Sequence, residues 1–172
     1  MKLLDAGCYG IICPMINTRE QAEAFVRYSK YPPLGERSWG PHRAQLYAGS
    51  GYREHANDTT LALAMIETRE ALENIDAILS TPGLDGCYIG PSDLGLSLGY
   101  EPKPDREEPE LLEAIDLILT TAKRHNVRAC MHCGSTDYAK RMIEQGFDSV
   151  TVLGDTHFIL RGARQVVDEM KS

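Results

Sequence analysis

Two carboxylates carry the chemistry that is easiest to read from this sequence. Leu61-Ala62-Leu63-Ala64-Met65-Ile66 is a short apolar run that stops at Glu67, and Gly86-Cys87-Tyr88-Ile89 is another, closed by Gly90-Pro91-Ser92-Asp93. Each run reads as a buried strand, so each carboxylate falls at a strand's C-terminal end. In a parallel sheet those ends share one rim, with neighbouring strands about 4.8 Å apart. Glu67 and Asp93 can therefore converge, and two carboxylates with room for water and a ligand's oxygens suit a hard cation such as Mg²⁺ or Mn²⁺. Both residues also have purely structural uses: an acid at position 67 favours a helix start, and Asp93 suits a turn. Pro91 lacks an N–H, but those of Ser92, Asp93 and Leu94 are expected to face the site if this turn opens a helix. A 2-oxo acid could then be gripped at its carboxylate while its keto oxygen meets the metal.

Cys130-Met131-His132-Cys133 has a Cys-x-x-Cys spacing, but without a second pair it is thin support for zinc or redox chemistry. His132 sits at a strand end, where it serves either a pocket or the rim, and His42, His55, His125 and His157 read as solvated. Neither G-x-G-x-x-G nor G-x-x-x-x-G-K-[ST] occurs, which counts against dinucleotide and P-loop folds.

The elements that must position these groups alternate as strand and helix. Met1 to Ala6 ends a helix, and Gly10 to Pro14 is a strand. Thr18 with Gln21 makes a capping box for a helix carrying Ala22, Phe25 and Val26. Tyr31 to Gly51, punctuated by Gly and Pro, is expected to be irregular, and either functional or interfacial. Thr68 caps a helix with Leu72, Ile75, Ile78 and Leu79 on one face. Tyr100 to Pro109 is a polar surface loop, followed by a helix on Leu111, Leu112, Ile115, Ile118 and Leu119. Val127 to Met131 is a strand, Ser135 caps a helix ended by Gly146, Ser149 to Leu153 is the last strand, and a final helix from about Thr156 is expected to bury Phe158, Ile159, Ala163, Val166 and Val167. Five βα repeats with short apolar strands signal a parallel sheet covered on its faces. Periodicity leaves two architectures open, a doubly wound sheet and part of an eight-stranded barrel.

The chain has 172 residues, 42% hydrophobic and 25% charged, with a net charge of −7. That balance argues for small-molecule chemistry and against nucleic acid, because few cations are available to displace counterions from phosphates. No stretch approaches the roughly 20 apolar residues of a membrane span, and Asp5 interrupts the opening Met1-Lys2-Leu3-Leu4. Five cysteines, an odd number, suit reduced thiols and a cytoplasmic protein.

Asp5-Ala6-Gly7, Pro14-Met15, Tyr31-Pro32-Pro33-x-Gly35-x-Arg37, Ile66-Glu67-Thr68 and Ile89-Gly90-Pro91-Ser92-Asp93-Leu94, with Ser97-Leu98-Gly99 behind them, resemble the HpcH/HpaI family of class II pyruvate aldolases. The resemblance runs through the whole chain. It implies a (β/α)₈ TIM barrel and a metal-dependent cleavage of 4-hydroxy-2-oxo acids to pyruvate and an aldehyde, in an enzyme that is usually a homo-oligomer. By the same resemblance Glu67 and Asp93 are metal ligands for Mg²⁺, Mn²⁺ or Co²⁺, Ser92 and Asp93 contact the pyruvate portion, and Asp5 orients a catalytic histidine. Two departures stand out. Met65 occupies a position where the family commonly has a substrate-contacting Gln, and the family's catalytic His and Arg belong to three βα units that precede this chain's first strand. A full barrel takes about 250 residues, so residues 1–172 are expected to be the C-terminal part of one barrel domain, five strands of eight. The alternatives are an acyl-CoA lyase of the citramalyl-CoA type, which the lack of a basic cluster disfavours, and a non-catalytic subunit that binds metal and a 2-oxo acid.

Overall fold

A computed structural model describes residues 1–171. Five strands, β1 (Gly10–Cys13), β2 (Leu61–Ile66), β3 (Gly86–Ile89), β4 (Arg128–Cys133) and β5 (Ser149–Val152), pair in sequence order, and every pairing is parallel. That order decides between the two architectures. A doubly wound sheet reverses its direction of growth at a switch point, whereas in a barrel each crossover advances the same way. The five βα units form a half-barrel.

Alternation along each strand separates two faces. Ala62, Ala64, Ile66, Cys87, Ile89, Ala129, Met131 and Cys133 are buried beneath the outer helices. The opposite residues Met65, Tyr88, Cys130 and Ser149 align in register across β2 to β5 and line the concave side. The covering helices are α2 (Arg19–Ser29), α5 (Arg69–Glu73), α6 (Ile75–Leu79), α8 (Pro109–Arg124) and α9 (Thr136–Gln145). Their starts follow the local sequence: Thr18 and Gln21 form the expected capping box, and the hydroxyls of Thr68 and Ser135 accept from the N–H groups of Ala71 and Tyr138. Gly146 ends α9 in the left-handed conformation, φ 108°.

Several expectations are corrected. Tyr31 to Gly51 is not wholly irregular, because α3 (His42–Ala48) lies within it and α4 (Tyr52–Thr59) follows. Neither helix has a side-chain cap, so the usual boundary signal is missing, and packing of Ala44, Tyr52 and Ala56 with Tyr31 holds them instead. The helix after Thr68 breaks into α5 and α6 at Asn74, whose side-chain amide donates to the Asn17 carbonyl at 2.9 Å. β4 runs on to Cys133, which places His132 inside the strand. Arg106, in the supposed surface loop, is fully buried and donates to the carbonyls of Glu101 and Lys103 at 2.7 and 3.2 Å. The last helix, α10 (Asp155–Lys171), buries none of its residues: Phe158 is 55% and Ile159 69% exposed. An amphipathic stripe is buried only against a partner surface, and none of the described elements covers this one.

Candidate metal and substrate site

Glu67 leaves β2 on the concave face and is only 2% exposed. Its Oε1 accepts from the Met15 N–H at 2.8 Å. Met15, just after β1, holds a left-handed backbone (φ 59°), a conformation that costs a non-glycine residue about 1 kcal/mol and here aims its N–H at the carboxylate. The other oxygen, Oε2, lies against Gly90, where a Cβ would stand 2.2 Å away. Gly90 has φ −95°, which any residue adopts, so glycine is needed for room and not for conformation. Burial pushes the Glu67 carboxyl above its ordinary range, the Met15 N–H opposes that rise, and the charge of Asp93 adds to it.

Asp93 stands in the first turn of α7 (Pro91–Ser97). A nearly inaccessible carboxylate with one hydrogen bond and a like charge beside it is poorly compensated by protein alone, and a cation between the two would supply what is missing. The donor set therefore fits a hard divalent ion. Among the described residues no group of three or more His, Cys, Asp or Glu could hold a metal, so the protein would furnish two carboxylates. Mg²⁺ commonly binds through one or two carboxylates and keeps its remaining positions for water and substrate.

The hollow beside these groups has a volume of about 250 Å³ and is lined by Met65, Tyr88, Gly90, Pro91, Ser92, Asp93 and His132. The Leu94 N–H donates to the Gly90 carbonyl at 2.9 Å, so it is not a ligand donor as the sequence suggested. Those of Ser92 and Asp93, in the helix's first turn, have no acceptor within α7. His132 Nδ1 lies 3.0 Å from Thr151 Oγ1, and the same hydroxyl is hydrogen-bonded to the Tyr88 phenol. Neither Tyr88 nor Thr151 stood out in the sequence. Their signal was only the period of two, which puts Tyr88 two residues before Gly90 on the concave face.

The structure thus brings Glu67, Ser92, Asp93 and His132 together, and leaves Asp5 apart. Asp5 ends α1 (Lys2–Asp5), and its Oδ1 accepts from Arg37 Nη2 at 2.7 Å. The Arg37 side chain is fully buried, with its Cζ 4.3 Å from the centre of the Tyr31 ring. No histidine pairs with Asp5 among the described residues. Cys130 and Cys133 fall on opposite faces of β4, and burial raises both thiols, Cys133 to about 11, so they form neither a zinc pair nor a redox pair. Gly95-Leu96-Ser97-Leu98-Gly99 has G-x-S-x-G spacing, but it lies in and after α7, not at a strand-to-helix elbow, and Ser97 Oγ accepts from the Arg69 N–H.

The chain is 48% identical over 172 residues to a hydroxypyruvate/pyruvate aldolase of Rhizorhabdus wittichii, covering all of this chain and 68% of that protein. It is 35% identical over 165 residues to a 4-hydroxy-2-oxo-heptane-1,7-dioate aldolase of Klebsiella pneumoniae, covering 94% of this chain and 62% of the relative. Among solved structures, an HpcH/HpaI aldolase from Desulfitobacterium hafniense superimposes on 99% of this chain and 67% of its own, with TM-score 0.87 and 28% identity. The chain thus spans between 62% and 68% of the length of these proteins. The pattern of one family is matched over residues 1–160, nearly the whole length, and the chain belongs to the HpcH/HpaI aldolase/citrate lyase family.

Proposed function

We propose that this protein is a divalent-metal-dependent aldolase that cleaves 4-hydroxy-2-oxo acids to pyruvate and an aldehyde. The observation that carries the reading is the Glu67 carboxylate, packed against Gly90 and within electrostatic reach of Asp93, which lines the hollow together with Ser92. Glu67 and Asp93 would hold Mg²⁺, Mn²⁺ or Co²⁺. When bound, such an ion supplies a Lewis acid at the keto oxygen and offsets negative charge developing on the 2-oxo acid. Met15 and Gly90 confine the Glu67 carboxylate, so its position is set before a ligand arrives. The N–H groups of Ser92 and Asp93 would grip the acid's carboxylate, and Met65 and Tyr88 give the hollow its apolar floor and wall.

Asp5 is proposed to orient a histidine base, with Arg37 fixing the carboxylate's direction through Oδ1. That base and a second cation for the transition state are proposed to come from barrel units outside residues 1–172, which we read as the C-terminal part of a single barrel domain. The exposed apolar stripe of α10 supports a homo-oligomer, and the five free cysteines support a cytoplasmic protein.

Proton NMR of pyruvate in D₂O tests the reading. Methyl protons should exchange in the presence of protein and Mg²⁺, and the exchange should vanish with EDTA and in Glu67→Gln. Exchange no faster than with Mg²⁺ alone would remove the case for aldolase chemistry.

A further inference from the structure

Two strand-to-helix junctions border the hollow, and each is tied down at a glycine just beyond the side chain it presents. On one wall Ser92 and Asp93 open α7 and Gly95 follows; on the other His132 is followed by Gly134, the first residue after β4. α7 is only seven residues long and has no side-chain N-cap, so packing must set its place. The loop 100–108, which leads from α7 into α8, touches both glycines.

Arg106 anchors the loop to α7. Its side chain is fully buried, Nη1 donates to the carbonyls of Glu101 and Lys103 at 2.7 and 3.2 Å, and Nε faces Glu108 Oε2 at 3.3 Å. The loop is thus folded around one planar guanidinium, whose fork fixes the directions of its partners. That guanidinium lies on Gly95, where a Cβ would stand 2.8 Å from Nη2 and 2.9 Å from Cζ. The Tyr100 N–H closes the same contact by donating to the Gly95 carbonyl at 2.8 Å. Asp105 anchors the loop to the β4–α9 junction. Its Oδ1 accepts from the Gly134 N–H at 2.7 Å, and Pro104 packs so closely that a Cβ on Gly134 would stand 2.4 Å from its Cγ. Adjacent residues of one loop therefore hold both junctions.

We infer that Asp105 and Arg106 are positioning residues: through them the loop ties Gly95 to Gly134 and sets the gap between the Ser92–Asp93 turn and His132, across which the 2-oxo acid binds. The inference rests on the site proposed above. It separates two effects. Strain at Asp105 or Gly134 shifts the His132 wall and leaves the Glu67 and Asp93 carboxylates in place, whereas strain at Gly95 shifts the turn that carries Asp93. The first should disturb the 2-oxo acid and spare the metal, and the second should disturb both. A general loosening of a surface loop has no reason to produce that division.

The test pairs Mn²⁺ affinity, read by electron paramagnetic resonance, with exchange of pyruvate methyl protons at saturating Mg²⁺, read by NMR, at a temperature where circular dichroism shows each variant folded. Neither Gly95 nor Gly134 has a positive φ, so alanine at either position tests space alone. Asp105→Ala and Gly134→Ala should slow exchange by at least about tenfold, since misplacement by about 1 Å costs up to about 10²-fold, while Mn²⁺ affinity stays within about twofold of the parent. Asp105→Asn keeps an oxygen that accepts from the Gly134 N–H and should recover the parent rate. Adding Pro104→Ala to Gly134→Ala vacates the close contact and should recover much of it. Gly95→Ala should weaken Mn²⁺ binding by about tenfold and slow exchange as well. Parent exchange rates in folded Asp105→Ala and Gly134→Ala, or Mn²⁺ affinity that falls in step with exchange in these two, would overturn the inference and leave the aldolase reading standing. Absence of metal-dependent exchange in the parent would overturn the aldolase reading and this inference with it.

Discussion

Replacing Gly90 with alanine perturbs the candidate site through a single methyl group. The backbone at φ −95° accepts alanine, so any effect arises from space. The added Cβ would stand 2.2 Å from Glu67 Oε2, 2.8 Å from Met65 Cε and 3.3 Å from Glu67 Cβ. A carbon–oxygen contact relaxes to about 3.3 Å, so the carboxylate must retreat by about 1 Å. Met65 is flexible and can swing aside. Glu67 cannot move without stretching its hydrogen bond from the Met15 N–H, which is worth about 1.5–3 kcal/mol for a charged acceptor. Displacement on this scale should weaken Mn²⁺ binding by at least about tenfold and lower turnover by about 10²-fold. Electron paramagnetic resonance of free Mn²⁺ reads the affinity, with circular dichroism as a check on the fold. Gly40→Ala is the control, since a Cβ there meets nothing within 4 Å and its φ is not positive. Unchanged Mn²⁺ affinity in a folded Gly90→Ala protein would refute the argument that Glu67, as placed here, binds the ion.

The remaining predictions concern stability and pH. Glu67's folded pKa lies above its unfolded value, so in the metal-free protein this group's contribution is complete below the unfolded value and is lost as pH rises through the raised one. Thermal midpoints without metal should therefore decline as pH climbs out of the ordinary carboxylate range, less so in Glu67→Gln or with saturating Mg²⁺; a profile that Glu67→Gln leaves unaltered would sink the assignment. Arg106→Ala should cost about 2–4 kcal/mol in urea unfolding, because it orphans the Glu101 and Lys103 carbonyls and empties the space over Gly95, where a Cβ would meet the guanidinium at 2.8 Å. Thr68→Ala should cost about 1–2 kcal/mol, since the hydroxyl both caps α5 and donates to Asn17 Oδ1 at 2.5 Å; a loss under about 0.3 kcal/mol, the scale of an uncapped surface site, would show that the link between the β1 and β2 loops contributes nothing.

The strands and capped helices were legible because their signals are local. Thr18 with Gln21, Thr68, Ser135 and Gly146 mark boundaries by side chains that meet their own backbone, and apolar runs such as Leu61–Ile66 need no distant information. α3 and α4 were hidden because their first turns lack caps, and the Asn74 break was hidden because its cause is a carbonyl of Asn17, 57 positions away. The amphipathic pattern of α10 was read correctly as a helix and wrongly as buried, since periodicity reports that a face wants a partner and not whether the partner belongs to the same stretch of chain. At the candidate site, the places of Glu67 just after β2 and of Asp93 in the turn after β3 were legible from the ends of the apolar runs. The Met15 N–H on Glu67, the shared hydroxyl of Thr151 and the pairing of Asp5 with Arg37 were not, because each depends on how loops separated by 19 to 63 positions meet.

The most direct test of the shared metal site is a Mn²⁺ titration followed by water-proton relaxation, in the protein, Glu67→Gln, Asp93→Asn and the double variant. The account predicts one tightly bound ion per chain, at least about 10²-fold weaker binding when either carboxylate is neutralised, and a fall in relaxation enhancement as pyruvate replaces bound water. Either single variant retaining the parent affinity, or a double variant that still binds one ion tightly, would contradict it.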